Sequence, residues 1–231
     1  LIPTLKARLS SADMLVDLKG ANLSNVSVSS SEVVIGSMTR HCDVASSSEV
    51  LSSLPALAKL AGGIGDHMVR SCGTIGGSLA NNDPAACYPS AVLALDATII
   101  TNERAIAAEE FFVGMFETAL NENEIITEVK FPTPEKASYI KFPNPASRYA
   151  MVGVFLAKKA SGVAVAVTGA GENGVFRCSE IEKVLNSSFN LESLDNVEIS
   201  PDGLNSDIHA SASYRANLIK EMAKRALKEI I

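Results

Sequence analysis

The sequence has 231 residues, 47% of them hydrophobic and 20% charged, with a formal charge of −6, a balance that fits one large globular domain or two modest ones. The acidic balance, the 5% aromatic content and the lack of tryptophan weigh against a nucleic-acid platform, which needs a basic surface and rings for stacking. No window approaches the roughly 18 uninterrupted apolar residues of a spanning helix. Leu1-Ile2-Pro3-Thr4-Leu5-Lys6 is neither a secretion signal nor an initiator start. The cysteines Cys42, Cys72, Cys87 and Cys178 therefore read as reduced thiols in a cytoplasm. Neither they nor His41, His67 and His209 have the spacing of a zinc or iron–sulfur cage.

In chain order, Asp13 to Leu18 reads as a short strand, and Val26 to Val28 with Glu32 to Ser37 as a hairpin across a serine-rich turn. Asp43 to Ala61 is helical by pattern, with Pro55 dividing or kinking it. A glycine-dense region follows, from Gly62 to Gly77, and then Asp83-Pro84 reads as a helix start running through Leu95. Ala97 to Thr101 and Ile125 to Phe131 read as strands, and Glu109 to Phe112 as a helical turn. Phe131 to Lys136, with two prolines and two charges, reads as a linker between domains. Beyond it, Ser138 to Phe142, Val152 to Lys158 and Val163 to Thr168 predict a three-stranded antiparallel sheet. Ser179 to Glu182 predicts a capping box, and Tyr214 to Ile231 an amphipathic helix with Leu218, Met222, Ala226, Leu227 and Ile230 on one stripe.

Two glycine patterns compete as cofactor sites. Gly169-Ala-Gly171-Glu-Asn-Gly174 fits a dinucleotide fingerprint, but Val175 to Arg177 reads as a strand where a helix must open. It reads as a hairpin turn. The second is Gly73-Thr74-Ile75-Gly76-Gly77-Ser78, where paired glycines let backbone approach a phosphate and Thr74, Ser78, Asn81 and Asn82 add polar groups. By spacing alone it is indistinguishable from a turn. Arg40-His41-Cys42-Asp43 contains hydrolase-type residues, yet four consecutive side chains diverge rather than converge.

The run from Arg70 through Thr74-Ile75-Gly76-Gly77-Ser78-Leu79 to Asp83-Pro84-Ala85-Ala86 resembles the second FAD motif of the molybdenum hydroxylase medium subunits. That family includes the flavoproteins of aerobic carbon monoxide dehydrogenase and the FAD domain of xanthine dehydrogenase. The likeness extends to Leu1–Leu9 and Leu15–Leu18, to Glu124–Pro132, and to Lys141–Arg148 and Asp207–Arg215, the last two most like the carbon monoxide dehydrogenase branch.

The resemblance implies an α+β fold: a vanillyl-alcohol-oxidase-type FAD-binding domain over residues 1–134 and a small sheet-and-helix domain over 135–231. It implies that Thr74, Ile75, Gly76, Gly77 and Ser78 line FAD, with Asp83, Ile64, Ile126 and Lys141 nearby. Cys87 stands where better-known relatives place a flavin-binding aspartate, and a thiol supplies no carboxylate acceptor. The family's first FAD motif, A-G-G-x-S, is expected just before Leu1 and is absent from the sequence, which implies an N-terminal truncation. The implied function is electron transfer from [2Fe–2S] clusters of a small subunit through FAD to a quinone, a nicotinamide or oxygen. A molybdopterin-containing large subunit oxidises the substrate, and the assembly implied is a dimer of heterotrimers, with peripheral membrane association left open. No catalytic residue and no metal ligand is assigned to this chain. The rival reading is an assembly module that has lost its flavin.

Overall fold

The computed structural model describes residues 2–231. Helix α1 (Ile2–Lys6) leads into a segment without regular structure that ends in a 3-10 turn at Leu18–Ala21. The strand expected over Asp13–Leu18 does not form. Its residues are mostly exposed and pair with no described strand, while the Asp17 carboxylate accepts from Lys19 N and starts the turn instead. Strands β1 (Val26–Val28) and β2 (Glu32–Gly36) form the expected hairpin, closed by the Ser29 hydroxyl, which accepts from Ser31 N and Glu32 N.

The helical stretch then falls into three pieces, α2 (His41–Ser46), α3 (Ser48–Ser53) and α4 (Pro55–Gly62). Pro55 makes the expected break; the second comes at Ser47, whose hydroxyl caps α3 by accepting from Val50 N. Helices α5 (His67–Cys72) and α6 (Ile75–Asn81) follow, and the latter occupies the stretch read as a glycine loop. The next helix, α7, runs Tyr88–Ala94, not from Asp83. The carbonyls that a helix from Asp83 would need are taken: Thr168 Oγ1 donates to Ala86 O at 2.6 Å and Gly169 N to Pro84 O at 2.9 Å.

Strands β3 (Thr98–Thr101) and β4 (Ala105–Ala107), the turn α8 (Ala108–Phe111), the small pair β5 (Phe112–Gly114) and β6 (Glu117–Thr118), and β7 (Ile126–Pro132) complete the first part. Its main sheet has five antiparallel strands in the order β1-β2-β7-β3-β4. The connection after β7 is short and held at both ends, Thr133 N to Ser31 O and Glu135 N to Lys158 O, each at 2.9 Å.

Strands β8 (Lys136–Pro143), β9 (Ala150–Lys159), β10 (Gly162–Gly171) and β11 (Gly174–Arg177) form a second antiparallel sheet in the order β11-β10-β9-β8. It has four strands rather than the expected three, because Val175–Arg177 pairs with β10. Gly169–Gly174 is thus a hairpin, with Gly171 opposite Gly174 and Gly174 at φ 100°, where glycine is favoured. Helix α9 (Ser179–Ser187) lacks the capping box: Cys178 is its N-cap and Glu182 accepts from Val165 N and Arg177. Helix α10 (Ala212–Lys228) begins where Ser211 accepts from Tyr214 N, and Leu218, Met222, Ala226 and Leu227 of its stripe are buried.

Alternation along β9 explains how the halves join. Phe155 and Ala157 pack with α4 and α7 on one face, while Val154 and Leu156 pack with α10 on the other. Every residue of α7 is buried, as a helix packed on several sides requires. The architecture is α+β.

Candidate cofactor-binding site

Helix α6 begins at Thr74, whose backbone is extended and whose hydroxyl accepts from Gly77 N at 3.2 Å. The helix hangs from the end of β2: Gly76 N donates to Ser37 O at 2.8 Å and Ile75 N to Thr39 O at 3.1 Å. Those two amides are therefore spent within the protein. The two glycines differ in purpose. A Cβ on Gly76 would fall 2.5 Å from Ser37 Cβ, so this glycine lets the helix meet the sheet. A Cβ on Gly77 would meet only Thr74 Oγ1, at 3.0 Å, and the residue borders a cavity on either side. Apart from that one hydroxyl, no neighbouring group requires the glycine.

The larger cavity, about 480 Å³, collects Ile64, Gly77, Ser78, Asp83, Cys87 and Lys141 from the sequence-expected set. The smaller, about 200 Å³, collects Thr74, Gly76, Gly77 and Ile126. The side chain of Ile75 is fully buried in the core, and the residue is not among those lining either cavity. Arg70, the first residue of the motif, donates to Ile64 O at 2.9 Å and Gly65 O at 3.2 Å, which fixes the glycine loop that presents Ile64.

Lys141 crosses the larger cavity's edge, donating to Gly63 O at 2.6 Å and Arg148 O at 3.1 Å and lying 3.7 Å from Cys87 Sγ. Cys87 is only 5% exposed yet forms part of the wall. Behind it the phenol of Tyr139 is pushed well above its ordinary range by burial and the neighbouring thiol. Tyr88 is likewise fully buried, and burial raises its phenol too.

Sequence reasoning gave no role to His41, Ala85, Ala86, Ser147, Arg148 or Tyr149 as wall residues, yet all line the larger cavity. The loop carrying the last three had a signal, the Asn144-Pro145 turn dipeptide, and Arg148 sits at φ 63°. His41 had none, since its place depends on the fold bringing α2 beside α5 and α7. Burial first, and Arg70 second, lower its pKa to about 4. The hydrolase-type arrangement is not assembled. Arg40 pairs with Asp43 at 2.7 Å, the Cys42 thiol turns to Asp43 at 3.4 Å, and the His41 ring faces Tyr88 at 5.4 Å.

A family described as the FAD binding domain in molybdopterin dehydrogenase matches residues 1–134. The chain belongs to this family. It is 35% identical over 248 residues to the glyceraldehyde dehydrogenase medium chain of Sulfolobus acidocaldarius, covering 100% of this chain and 87% of that one. The carbon monoxide dehydrogenase medium chain of Hydrogenophaga pseudoflava is 29% identical, over 98% of this chain and 85% of its own. Among solved structures, reconstituted CO dehydrogenase from Oligotropha carboxidovorans superposes with a TM-score of 0.86 at 27% identity, covering 99% of this chain and 85% of that one. Quinoline 2-oxidoreductase from Pseudomonas putida 86 gives the same TM-score, 0.86, at 25% identity with the same coverage. The chain is thus an FAD-binding subunit of the molybdenum hydroxylase oxidoreductases. Among the described residues, no helix is long and apolar enough to cross a membrane, and no group of His, Cys, Asp and Glu is arranged to hold a metal ion.

Proposed function

We propose that this chain binds FAD across the first turn of α6, with Gly77 as the point of closest backbone approach. The observation that carries the reading is that Gly77, whose missing Cβ would meet nothing but the Thr74 hydroxyl, lines both cavities. Thr74, Gly76 and Ile126 bound one side of the cofactor, and Ile64, Ser78, Asp83, Cys87 and Lys141 the other. Ile64 and Ile126 supply apolar contact surface. Ser78 supplies a hydroxyl. Lys141 places a cation beside the larger cavity, suited to an anionic ligand, and ties the two loops that flank it. Cys87 gives that wall a small thiol where an aspartate would supply a carboxylate acceptor.

When bound, FAD supplies reversible electron uptake, and the protein's part is to position it and shape its surroundings. On this reading the chain relays electrons from [2Fe–2S] clusters of a small subunit to an external acceptor in a carbon monoxide dehydrogenase-like assembly. A separate molybdopterin subunit does the substrate chemistry, and the complex is a cytoplasmic dimer of heterotrimers. Residues 1–134 form the flavin-binding unit and 135–231 the unit that completes its cavity.

The test is direct. Purified chain, titrated with FAD, should quench flavin fluorescence and acquire an absorption band near ~450 nm, as a flavin-bound redox subunit does. A colourless protein that takes up no added FAD refutes the reading and supports the rival, an assembly module without a flavin.

A further inference from the structure

One group on the wall of the larger cavity is not accounted for by the motif. His41 opens α2, and its backbone amide donates to Gly73 O at 2.9 Å, which pins it beside the turn leading into α6. The side chain is 5% exposed, its ring lies against Tyr88 with centroids 5.4 Å apart, and it lines the cavity. Nδ1 is sealed from solvent with no hydrogen-bond partner.

Gly73 shows that the ring's place is built. Its backbone, φ −69° and ψ 143°, is open to any residue. Yet a Cβ there would fall 2.6 Å from His41 Nε2 and 2.9 Å from Cδ2. The glycine makes room for the imidazole, not for a turn. The tautomer follows from the burial. A proton on Nδ1 would be an orphaned donor in an apolar setting, a situation proteins avoid more strictly than a bare acceptor. The proton therefore belongs on Nε2.

We propose that His41 contacts the bound flavin nucleotide, donating a hydrogen bond from Nε2–H to an acceptor atom of the cofactor in the larger cavity. The inference rests on the FAD-binding reading above and adds to it a donor from outside the glycine motif. Lys141, on the same wall, is already committed to two carbonyls.

The test uses the full chain with FAD as titrant and fluorescence quenching as readout. His41→Phe keeps a ring against Tyr88 but removes the donor, and should weaken FAD binding about three- to tenfold. His41→Gln places an amide N–H near the Nε2 position and should stay within about twofold of the unmodified protein. Gly73→Ala should weaken binding by displacing the ring, and should add less loss in a His41→Ala background, where the overlap with the ring is gone and only the 3.2 Å approach to Val69 O remains. On the unmodified protein, nitrogen-15 NMR of the imidazole should report a proton on Nε2 and a shift of that signal when FAD is added, a response that a merely structural histidine would not give. Should His41→Phe not fold, the Gly73→Ala pair and the NMR result decide. Unchanged FAD affinity in His41→Phe, or a proton on Nδ1, overturns the assignment while leaving FAD binding intact. Failure of the unmodified chain to take up FAD overturns the underlying reading instead.

Discussion

Replacing each glycine of the Gly76–Gly77 pair by alanine should separate a packing role from a ligand-facing one. At Gly77 the new methyl relieves the flexibility of a glycine in a helix, worth about 0.5–1 kcal/mol. Against this, it presses on Thr74 Oγ1 at 3.0 Å, and loosening that cap would cost about 1 kcal/mol. The two nearly cancel, so Gly77→Ala should melt within about 4 °C of the parent. At Gly76 the methyl overlaps Ser37 Cβ at 2.5 Å and Ser37 O at 2.8 Å. The helix must withdraw from β2, weakening the Gly76–Ser37 and Ile75–Thr39 hydrogen bonds. Overpacking of this kind costs about 1–3 kcal/mol, or roughly 2–12 °C in a protein of this size. FAD affinity should order differently: Gly77→Ala should bind at least about tenfold more weakly, a loss of about 1.4 kcal/mol, despite its intact fold. Thermal melts by circular dichroism and FAD titration of both variants are the assay. If Gly77→Ala loses as much stability as Gly76→Ala, Gly77 is a packing glycine. If it binds FAD undiminished, the cofactor does not approach there.

Three further outcomes follow from the same contacts. His41 has a folded-state pKa of about 4, below its ordinary value of 6.5. Between those values the unfolded chain takes up a proton that the folded chain refuses, so His41 lowers stability as pH falls from 6.5 towards 4. Its share is at most roughly 3 kcal/mol, to be read as a smaller drop in urea-melt stability between about pH 7 and about pH 4.5 in His41→Phe than in the parent; an equal drop refutes it. Thr168→Val removes the hydroxyl bonds to Ala86 O and Pro84 O; Pro84 O keeps its bond from Gly169 N, so the loss falls on Ala86 O and should cost about 0.5–1.5 kcal/mol, with a matching fall in urea midpoint. Lys141→Met releases Gly63 and Arg148 from their shared cation; FAD affinity should fall several-fold and the fall should shrink at high salt, whereas a salt-independent effect would assign Lys141 a packing role only.

Most strands were legible because alternation and turn residues are local signals, although β4 was not expected and the strand expected over Asp13–Leu18 did not form. Helix α6 was not legible as a helix, since two glycines in its first turn argue against one. What holds it is distant: Thr39 and Ser37 accept its first amides. The false helix start at Asp83 failed for a related reason, because its capping signal is local while the claim on the Pro84 and Ala86 carbonyls comes from β10. The cofactor cavity was half legible. Its glycine motif stands in one run of sequence, but the walls formed by His41 and by Ser147–Tyr149 exist only once separate elements converge.

The clasp between β10 and the Pro84–Ala86 loop also bears on inheritance. The family match ends at residue 134, yet Lys141, Ser147, Arg148 and Tyr149 belong to the cavity, and Thr168 with Gly169 holds the loop that carries Asp83 and Cys87. Recombination at the junction between the two sheets would therefore not exchange an independent cassette. A chimera keeps a competent cavity only if the incoming C-terminal half brings its own counterparts of Lys141 and Thr168, so the two halves should be found to diverge in step.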